Sequence, residues 1–181
     1  MQSLIMRTKK TTSPKKPKKE NKAMEYTYLR EIEIKFKNRK VAKKAIDSAV
    51  YCPEVVVELF RDLQNETKEK LIAVNLDAKN KIICFEVVTI GSVSTIFARP
   101  IEVFRTSILV NASSIVLVHN HPSGEPRPSG DDIAFTKRIK RISDDLGLRF
   151  CDHIIIGFNN YYSFANEGLI SAEKINEDTK L

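Results

Sequence analysis

The chain has 181 residues, of which 42% are hydrophobic and 29% charged, a composition typical of one globular domain with a tail. The net charge of +7 lies at the start, because residues 1–22 hold eight of the 30 basic residues and one of the 23 acidic residues, leaving 22 of each elsewhere. This distribution excludes a uniformly basic nucleic-acid-binding domain. The absence of any apolar run near the roughly 18 residues that span a bilayer argues against a membrane protein.

The N-terminal part of the sequence differs in composition from the rest. Residues 1–24 are rich in Lys, Thr, Ser and Pro and cannot bury enough apolar surface to order themselves, so we predict a disordered basic tail. Such a tail is either a weak, sequence-independent contact for nucleic acid or simply a solvated end. Residues 31–37 alternate strictly between apolar and charged side chains, which predicts a half-buried strand within an N-terminal segment of residues 25–50.

The cysteines indicate the cellular compartment. Cys52, Cys84 and Cys151 are odd in number, form no Cys-x-x-Cys pair and follow no visible secretory signal. We therefore expect them to be small buried hydrophobic residues in a reducing cytoplasm.

The main domain is predicted over residues 51–172, followed by a polar end over residues 173–181. Its helical patterns cover 53–64, 100–111 and 129–146, and its strand patterns cover 71–76, 81–90, 94–98, 114–118, 148–158 and 161–164. The predicted inward faces are Ile101, Phe104, Ile108 and Leu109 for the second helix, and Ile133, Thr136, Ile139, Ile142 and Leu146 for the third. Helices and strands mixed around one sheet favour an α/β or α+β class with three layers.

Two histidines follow the apolar strand pattern of residues 114–118. Side chains two apart on a strand point the same way, so His119 and His121 are expected to leave one face of the sheet, and Pro122 then ends the strand. Eleven residues after His121, Asp132 lies in the first turn of the next helix. Two neutral imidazoles and one carboxylate suit Zn²⁺ and leave a fourth position for water, as in catalytic zinc sites.

Each of these residues also has a purely structural explanation. Ser129 fits the N-cap of the helix, and Asp132 fits its third position, where an acid favours the helix dipole. The two histidines would then be hydrogen-bonded turn residues. The combination of same-facing histidines, a strand-ending proline and a capped acid nevertheless favours the metal site.

These residues carry a family resemblance. His119-x-His121-Pro122, with Ser129 and Asp132 at their spacing, resembles the signature of the JAMM (JAB/MPN) metalloprotease superfamily. The longer string from His119 to Gly124 resembles the RadC family within it, and further segments agree in order over roughly residues 50–170. Because residues 1–50 form a basic tail and an amphipathic segment, the chain is similar to the shorter mobile-element or phage versions of the family.

The resemblance implies a cytidine-deaminase-like, three-layer α/β/α sandwich with a mixed sheet. It implies one zinc ion held by His119, His121 and Asp132, and a Ser129 hydroxyl that helps to hold the oxyanion or the metal-bound water. The implied activity is hydrolysis of a peptide or isopeptide bond in a protein or peptide substrate.

The resemblance also implies a glutamate about fifty residues upstream of the histidines, at the entry to a strand, as general acid/base. Glu69 matches this position, and Glu86 and Glu102 are its rivals. His153 and Asp152 are candidates to hydrogen-bond a ligand histidine, although both are equally explained as satisfied polar groups at the start of a strand.

Two other enzyme classes fit the sequence less well. A zinc nucleobase deaminase shares the expected fold but needs His-x-Glu and Pro-Cys-x-x-Cys, both of which the chain lacks. The letters His-Asn-His do not indicate an HNH nuclease, in which the three residues are spread along a ββα element. The alternative left open is a metal-retaining but non-hydrolytic module for DNA transactions or protein interactions, in line with the DNA-repair association of the RadC family.

Overall fold

The computed structural model describes residues 29, 33, 35–41, 49–91 and 98–170. The chain divides into two units, Met1–Asn38 and Arg39–Leu181. In the first unit the described residues have no regular secondary structure, including the described members of the strand predicted over residues 31–37. The predicted basic tail, the predicted strand over residues 94–98 except Ala98, and the polar end over residues 173–181 lie outside the described residues.

The second unit contains three α-helices and five strands among its described residues. The helices are α1 (Pro53–Leu59), α2 (Pro100–Leu109) and α3 (Gly130–Asp145), with a short 3₁₀ helix, Arg61–Asn65, after α1. The strands are β1 (Lys70–Leu76), β2 (Ile82–Ile90), β3 (Ser114–Asn120), β4 (Arg149–Ile156) and β5 (Tyr161–Ser163). The elements predicted between residues 53 and 90 and between 100 and 164 are present, except that the single helix predicted over residues 53–64 is an α-helix to Leu59 followed by the 3₁₀ helix, and β3 extends two residues beyond its predicted end.

The strands form one mixed sheet in the order β2-β1-β3-β4-β5. Strand β1 is antiparallel to both β2 and β3, whereas β3 and β4 are parallel and joined by helix α3. A parallel pair needs such a crossover, because the chain must return to the same end of the sheet. The predicted α/β class with a mixed sheet is therefore confirmed.

Helices cover both faces of the sheet. Helix α1 and the 3₁₀ helix pack on one face, where Val56, Phe60 and Leu63 join a buried cluster of β1, β3 and β4 side chains. On the other face, the strand side chains that point the opposite way pack against α2 and α3, which contribute Val103, Phe104 and Ile139. Successive strand side chains point to opposite faces, which explains why β3 is buried throughout. The result is the predicted three-layer arrangement.

The predicted inward face of α2 is wrong at three of its four residues, and only Phe104 is buried as predicted. Ile101 is 70% exposed, Ile108 is 65% exposed and Leu109 is 50% exposed. The buried residues of α2 are Val103, Phe104 and Ser107. This face also takes in a polar residue, because the Ser107 hydroxyl donates a hydrogen bond to buried Asn75.

Two further expectations are corrected. Leu146 is 50% exposed, because it follows the last turn of α3 as its C-cap and the inward position is taken by Ser143, which hydrogen-bonds the Leu148 carbonyl. The three cysteines are free, but none is fully buried as expected: Cys52 is exposed, since it precedes α1 at the surface, and Cys84 and Cys151 are only partly buried.

Candidate metal centre

Strand β3 and the residue after it carry both histidines. His119 is fully buried and pairs with Leu71 of β1 and Ile155 of β4, so both neighbouring strands hold its backbone. Just beyond the strand, the His121 amide donates to the Ile156 carbonyl at 3.0 Å. Both imidazoles therefore lie on the face covered by α2 and α3, at the carboxyl ends of two parallel strands.

The first turn of α3 supplies the carboxylate. Ser129 is the N-cap of the helix, and its Oγ accepts a hydrogen bond from the Asp132 amide at 3.1 Å. In return, Asp132 Oδ2 accepts from the Ser129 amide at 2.7 Å and from the Ser129 hydroxyl at 2.6 Å. This reciprocal cap holds the carboxylate in one orientation. The structural explanation of Ser129 and Asp132 is thus correct, and it places Asp132 toward the histidines.

The structure brings the three predicted ligands together. His119 Nε2 lies 3.0 Å from His121 Nε2 and 3.4 Å from Asp132 Oδ1, and His121 Nε2 lies 3.5 Å from Asp132 Oδ2. One ligand atom from each residue falls within 4.8 Å of the other two. A group of two imidazoles and a carboxylate at this separation could hold a metal ion.

A buried chain of hydrogen bonds determines which nitrogen of His119 faces the cluster. Thr136 Oγ1 donates to the Asp132 carbonyl at 2.6 Å, so its only proton is used there. Thr136 must therefore accept from His153 Nδ1, also at 2.6 Å. Neutral His153 then presents a bare Nε2, which accepts from His119 Nδ1 at 2.8 Å. This assignment leaves the lone pair of His119 Nε2 directed at the cluster.

The loop after β3 determines in the same way which nitrogen of His121 faces the cluster. His121 Nδ1 lies 2.8 Å from the Glu125 carbonyl, which can only accept, so Nδ1 carries the proton and Nε2 faces the cluster. This loop lies close to Gly157, and the amide of the next residue, Phe158, donates to the Gly124 carbonyl at 2.8 Å. A Cβ on Gly157 would meet that carbonyl oxygen at 2.4 Å.

The electrostatics favour one positive charge in the cluster. Burial, helped by neighbouring His153, lowers the pKa of His119 well below its ordinary value, so this ring is neutral. Burial also lowers the pKa of His121, but Asp132 and the Glu125 carbonyl outweigh it, and the net shift is upward. Two bare nitrogens 3.0 Å apart repel each other unless a proton or a cation lies between them and the carboxylate. The donor set therefore fits a metal cation.

Glu69 lies next to this cluster. The residue immediately precedes β1 and is only 8% exposed. Burial raises the pKa of Glu69; the charge of nearby His121 opposes this rise in pKa, and the charge of Asp132 adds to it. A buried carboxyl with a raised pKa beside a candidate metal site is suited to accept and return a proton.

The two rival glutamates are engaged elsewhere. Glu86 forms an ion pair with Arg105 and a hydrogen bond with Thr106, which ties β2 to α2. Glu102 accepts from the Arg99 amide at 3.0 Å and from its side chain at 2.9 Å, as part of the cap of α2. Their carboxylates serve the packing of α2.

Of the two residues predicted to hydrogen-bond a ligand histidine, only His153 does so. His153 contacts His119, as described, and stacks on Phe164 with ring centroids 5.1 Å apart. Asp152 does not contact the cluster, because its carboxylate accepts from the Ser163 hydroxyl and the Ala165 amide. The sequence predicted Thr136 on the inward face of α3 but not its contact with His153, which its position four residues after Asp132, on the same helix face, could have indicated.

Comparison with known proteins agrees with this geometry. A family profile described as "RadC-like JAB domain" matches residues 50–169. A UPF0758 protein of Aquifex aeolicus is 36% identical over 149 residues, which cover 82% of this chain and 62% of that protein. A UPF0758 protein of Streptococcus thermophilus is 43% identical over 114 residues, which cover 63% of this chain and 50% of that protein.

The chain thus spans about half to three-fifths of the length of the curated relatives it matches. Within the described part of the chain, every helix is too short or too polar to cross a lipid bilayer. On the evidence of the matched domain, the mixed sheet and the placement of the His-His-Asp cluster, the chain belongs to the RadC family of the JAB/MPN superfamily.

Proposed function

We propose that the protein is a zinc-dependent hydrolase that cleaves peptide or isopeptide bonds in a protein or peptide substrate. The observation that carries the proposal is the convergence of two bare imidazole nitrogens and a capped carboxylate within 4.8 Å, beside a buried glutamate. Three protein ligands leave a fourth position on the metal for water, and a neighbouring proton acceptor can activate that water for hydrolysis. A structural zinc site is usually closed by a fourth protein ligand.

His119 Nε2, His121 Nε2 and Asp132 would hold the ion. A zinc ion bound there supplies Lewis acidity and lowers the pKa of water to about 7. The hydrogen bonds from His119 to His153 and from His121 to the Glu125 carbonyl keep both rings in the correct tautomer and orientation.

Glu69 would move the proton. Its carboxylate takes a proton from the attacking water and returns it to the leaving amine nitrogen, since a buried carboxyl with a raised pKa binds that proton more readily than an exposed one. General acid–base assistance of this kind contributes about 10²- to 10⁴-fold to a rate.

Ser129 would act first through Asp132. Its hydroxyl donates to Asp132 Oδ2 at 2.6 Å and so orients a ligand. Stabilising an oxyanion would require the hydroxyl proton to turn away from Asp132, leaving the Ser129 amide, at 2.7 Å, to hold the carboxylate.

The test combines zinc analysis with hydrolysis. The protein and its Asp132→Asn, Glu69→Gln and Asp131→Asn variants are equilibrated with zinc, desalted and assayed on internally quenched peptides with α-peptide or lysine-isopeptide bonds. We expect Asp132→Asn to lose zinc and activity, and Glu69→Gln to keep zinc but lose activity. Asp131→Asn is the matched control, because Asp131 is an exposed acid in the same helical turn. Equal zinc contents in Asp132→Asn and the control would refute the site.

The basic tail supports a second candidate, contact with nucleic acid. Residues 1–22 carry eight basic residues and one acidic residue, a density that attracts phosphate groups. We expect deletion of residues 1–24 to abolish retention on DNA and to leave zinc content unchanged. Retention that survives the deletion would assign the contact to the folded domain.

The three free cysteines support a cytoplasmic location for either function.

A further inference from the structure

Asn120 lies between the two histidines, but its side chain leaves the opposite face of the sheet. Strand side chains alternate, so an Asn between two residues that face α3 must point toward the α1 side. Asn120 is only 1% exposed, and a buried amide needs partners for its oxygen and its nitrogen. Neither partner belongs to the metal cluster.

The partners of Asn120 are the two backbone groups that flank Glu69. The Lys70 amide donates to Asn120 Oδ1 at 2.9 Å, and Asn120 Nδ2 donates to the Lys68 carbonyl at 3.2 Å. The backbone register of β1 with β3 ends at the pair Leu71–His119. The side chain of Asn120 therefore continues the pairing where the two backbones no longer meet.

The opposite edge of the same segment is also bonded. The Gly91 amide, immediately after β2, donates to the Glu69 carbonyl at 2.9 Å. Glu69 thus sits between a bend at Lys68 and the start of β1, on a short segment held from β3 by Asn120 and from the end of β2 by Gly91. Leu71 pairs with His119, and Glu69 precedes Leu71 by two residues, so the alternation of β1 continued to Glu69 directs its carboxyl to the face of His119.

We propose that Asn120 is a positioning residue that sets the place of Glu69 relative to the metal cluster. The run from His119 to His121 would then supply ligands on one face of the sheet and hold the proton-transfer residue from the other. The inference rests on the proposed hydrolytic function. It also explains the residue type, because the contact needs one acceptor for the Lys70 amide and one donor for the Lys68 carbonyl, which an asparagine provides at this length.

The test uses Asn120→Leu, which removes both hydrogen bonds, and Asn120→Asp, which keeps the acceptor and the size. Asn75→Leu is the matched control, because Asn75 is a fully buried asparagine of β1 whose bonds go to Ser107 and Cys84. We expect zinc content to stay at the wild-type level in all three. On the quenched peptides, kcat of Asn120→Leu should fall on the order of 10²-fold at nearly constant KM, the cost of a misplaced catalytic group. Asn120→Asp should lose less, and Asn75→Leu should keep its kcat.

A double-variant comparison separates positioning from general weakening of the fold. In a Glu69→Gln background, Asn120→Leu should cause little further loss, because the residue that it positions no longer acts. The same fold-loss in both backgrounds, or an equal loss in Asn75→Leu, would overturn the inference.

Amide hydrogen exchange tests the role of Asn120 without relying on hydrolytic activity. If the zinc-loaded protein cleaves no peptide, the proposed hydrolysis fails, and exchange alone decides the role of Asn120. We expect the Lys70 and Gly91 amides to exchange faster in Asn120→Leu than in the wild type, and at the wild-type rate in Asn75→Leu. Unchanged exchange at both amides in Asn120→Leu would contradict the proposed contact.

Discussion

Gly157 is a position at which one added methyl group should disturb the metal centre without touching a ligand. A Cβ there would lie 2.4 Å from the Gly124 carbonyl oxygen and 2.7 Å from Pro126 Cδ. Ordinary contacts begin at 3.4 Å, so Gly157→Ala must push the loop of residues 124–126 outward by about 1 Å. Neither obstacle is the end of a flexible side chain, so the strain cannot be relieved by a rotamer change.

The displaced loop carries the partner of a ligand. The Glu125 carbonyl accepts from His121 Nδ1 at 2.8 Å, and a shift of about 1 Å would stretch this bond beyond the roughly 3.2 Å limit of an N–H···O hydrogen bond. Loss of a hydrogen bond that orients a metal ligand costs about 10- to 100-fold in metal affinity. Overpacking itself costs about 1–3 kcal/mol of folding stability.

The assay is zinc competition with a chromophoric chelator, together with urea unfolding of the metal-free protein. Gly130→Ala is the matched control, because Gly130 is the first residue of α3, close to the site, and a Cβ there meets nothing within 4 Å. We expect weaker zinc binding only in Gly157→Ala. If Gly157→Ala lost stability but bound zinc as tightly as the wild type, the loop would not orient His121, and this reasoning would be refuted.

Three further predictions concern His153, the binding of zinc and the buried carboxyl of Asp152. His153→Leu should weaken zinc binding by about 10- to 100-fold, and His153→Gln should restore part of it, because a Gln oxygen can accept from His119; equal affinities in both variants would contradict the tautomer assignment. Zinc at about 100 times its dissociation constant should raise the free energy of unfolding by about 2.7 kcal/mol, a gain that a chelator reverses and that Asp132→Asn lacks in calorimetry. Burial raises the pKa of Asp152, so the stability tied to its protonated form is present at low pH and is lost as pH rises through that pKa. Asp152→Asn, which does not titrate, should therefore gain stability over the wild type as pH rises from about 4 in urea unfolding, and a constant difference would contradict the assignment.

The local geometry of the site was open to prediction because it is encoded within fourteen residues. The alternation of strand side chains puts His119 and His121 on one face, and the capping pattern puts Asp132 in the first turn of the following helix. Neither step needs knowledge of distant contacts. The fold class could be predicted in the same way, because apolar residues two apart indicate strands and apolar residues three to four apart indicate helices.

The face of α2 could not be predicted from such spacings. Helical periodicity favoured Ile101 and Ile108, but the structure buries Ser107, since its hydroxyl has a hydrogen-bond partner in Asn75 of β1. A partner 32 residues away in sequence is invisible to a pattern of hydrophobicity. Burial of a polar residue depends on whether it finds a partner, and only the assembled sheet supplies one.

The sequence by itself determined the elements, their order and the three candidate ligands, because these depend on the geometry of one strand and one helix. The resemblance to a family pointed to Glu69, but no local rule joins it to residues fifty positions away. Tertiary structure decided that connection: the antiparallel register of β1 with β3 sets Leu71 opposite His119 and so brings Glu69 to the cluster. It also decided which ring nitrogens face the cluster, because the hydrogen bonds that assign them come from α3, β4 and the loop after β3.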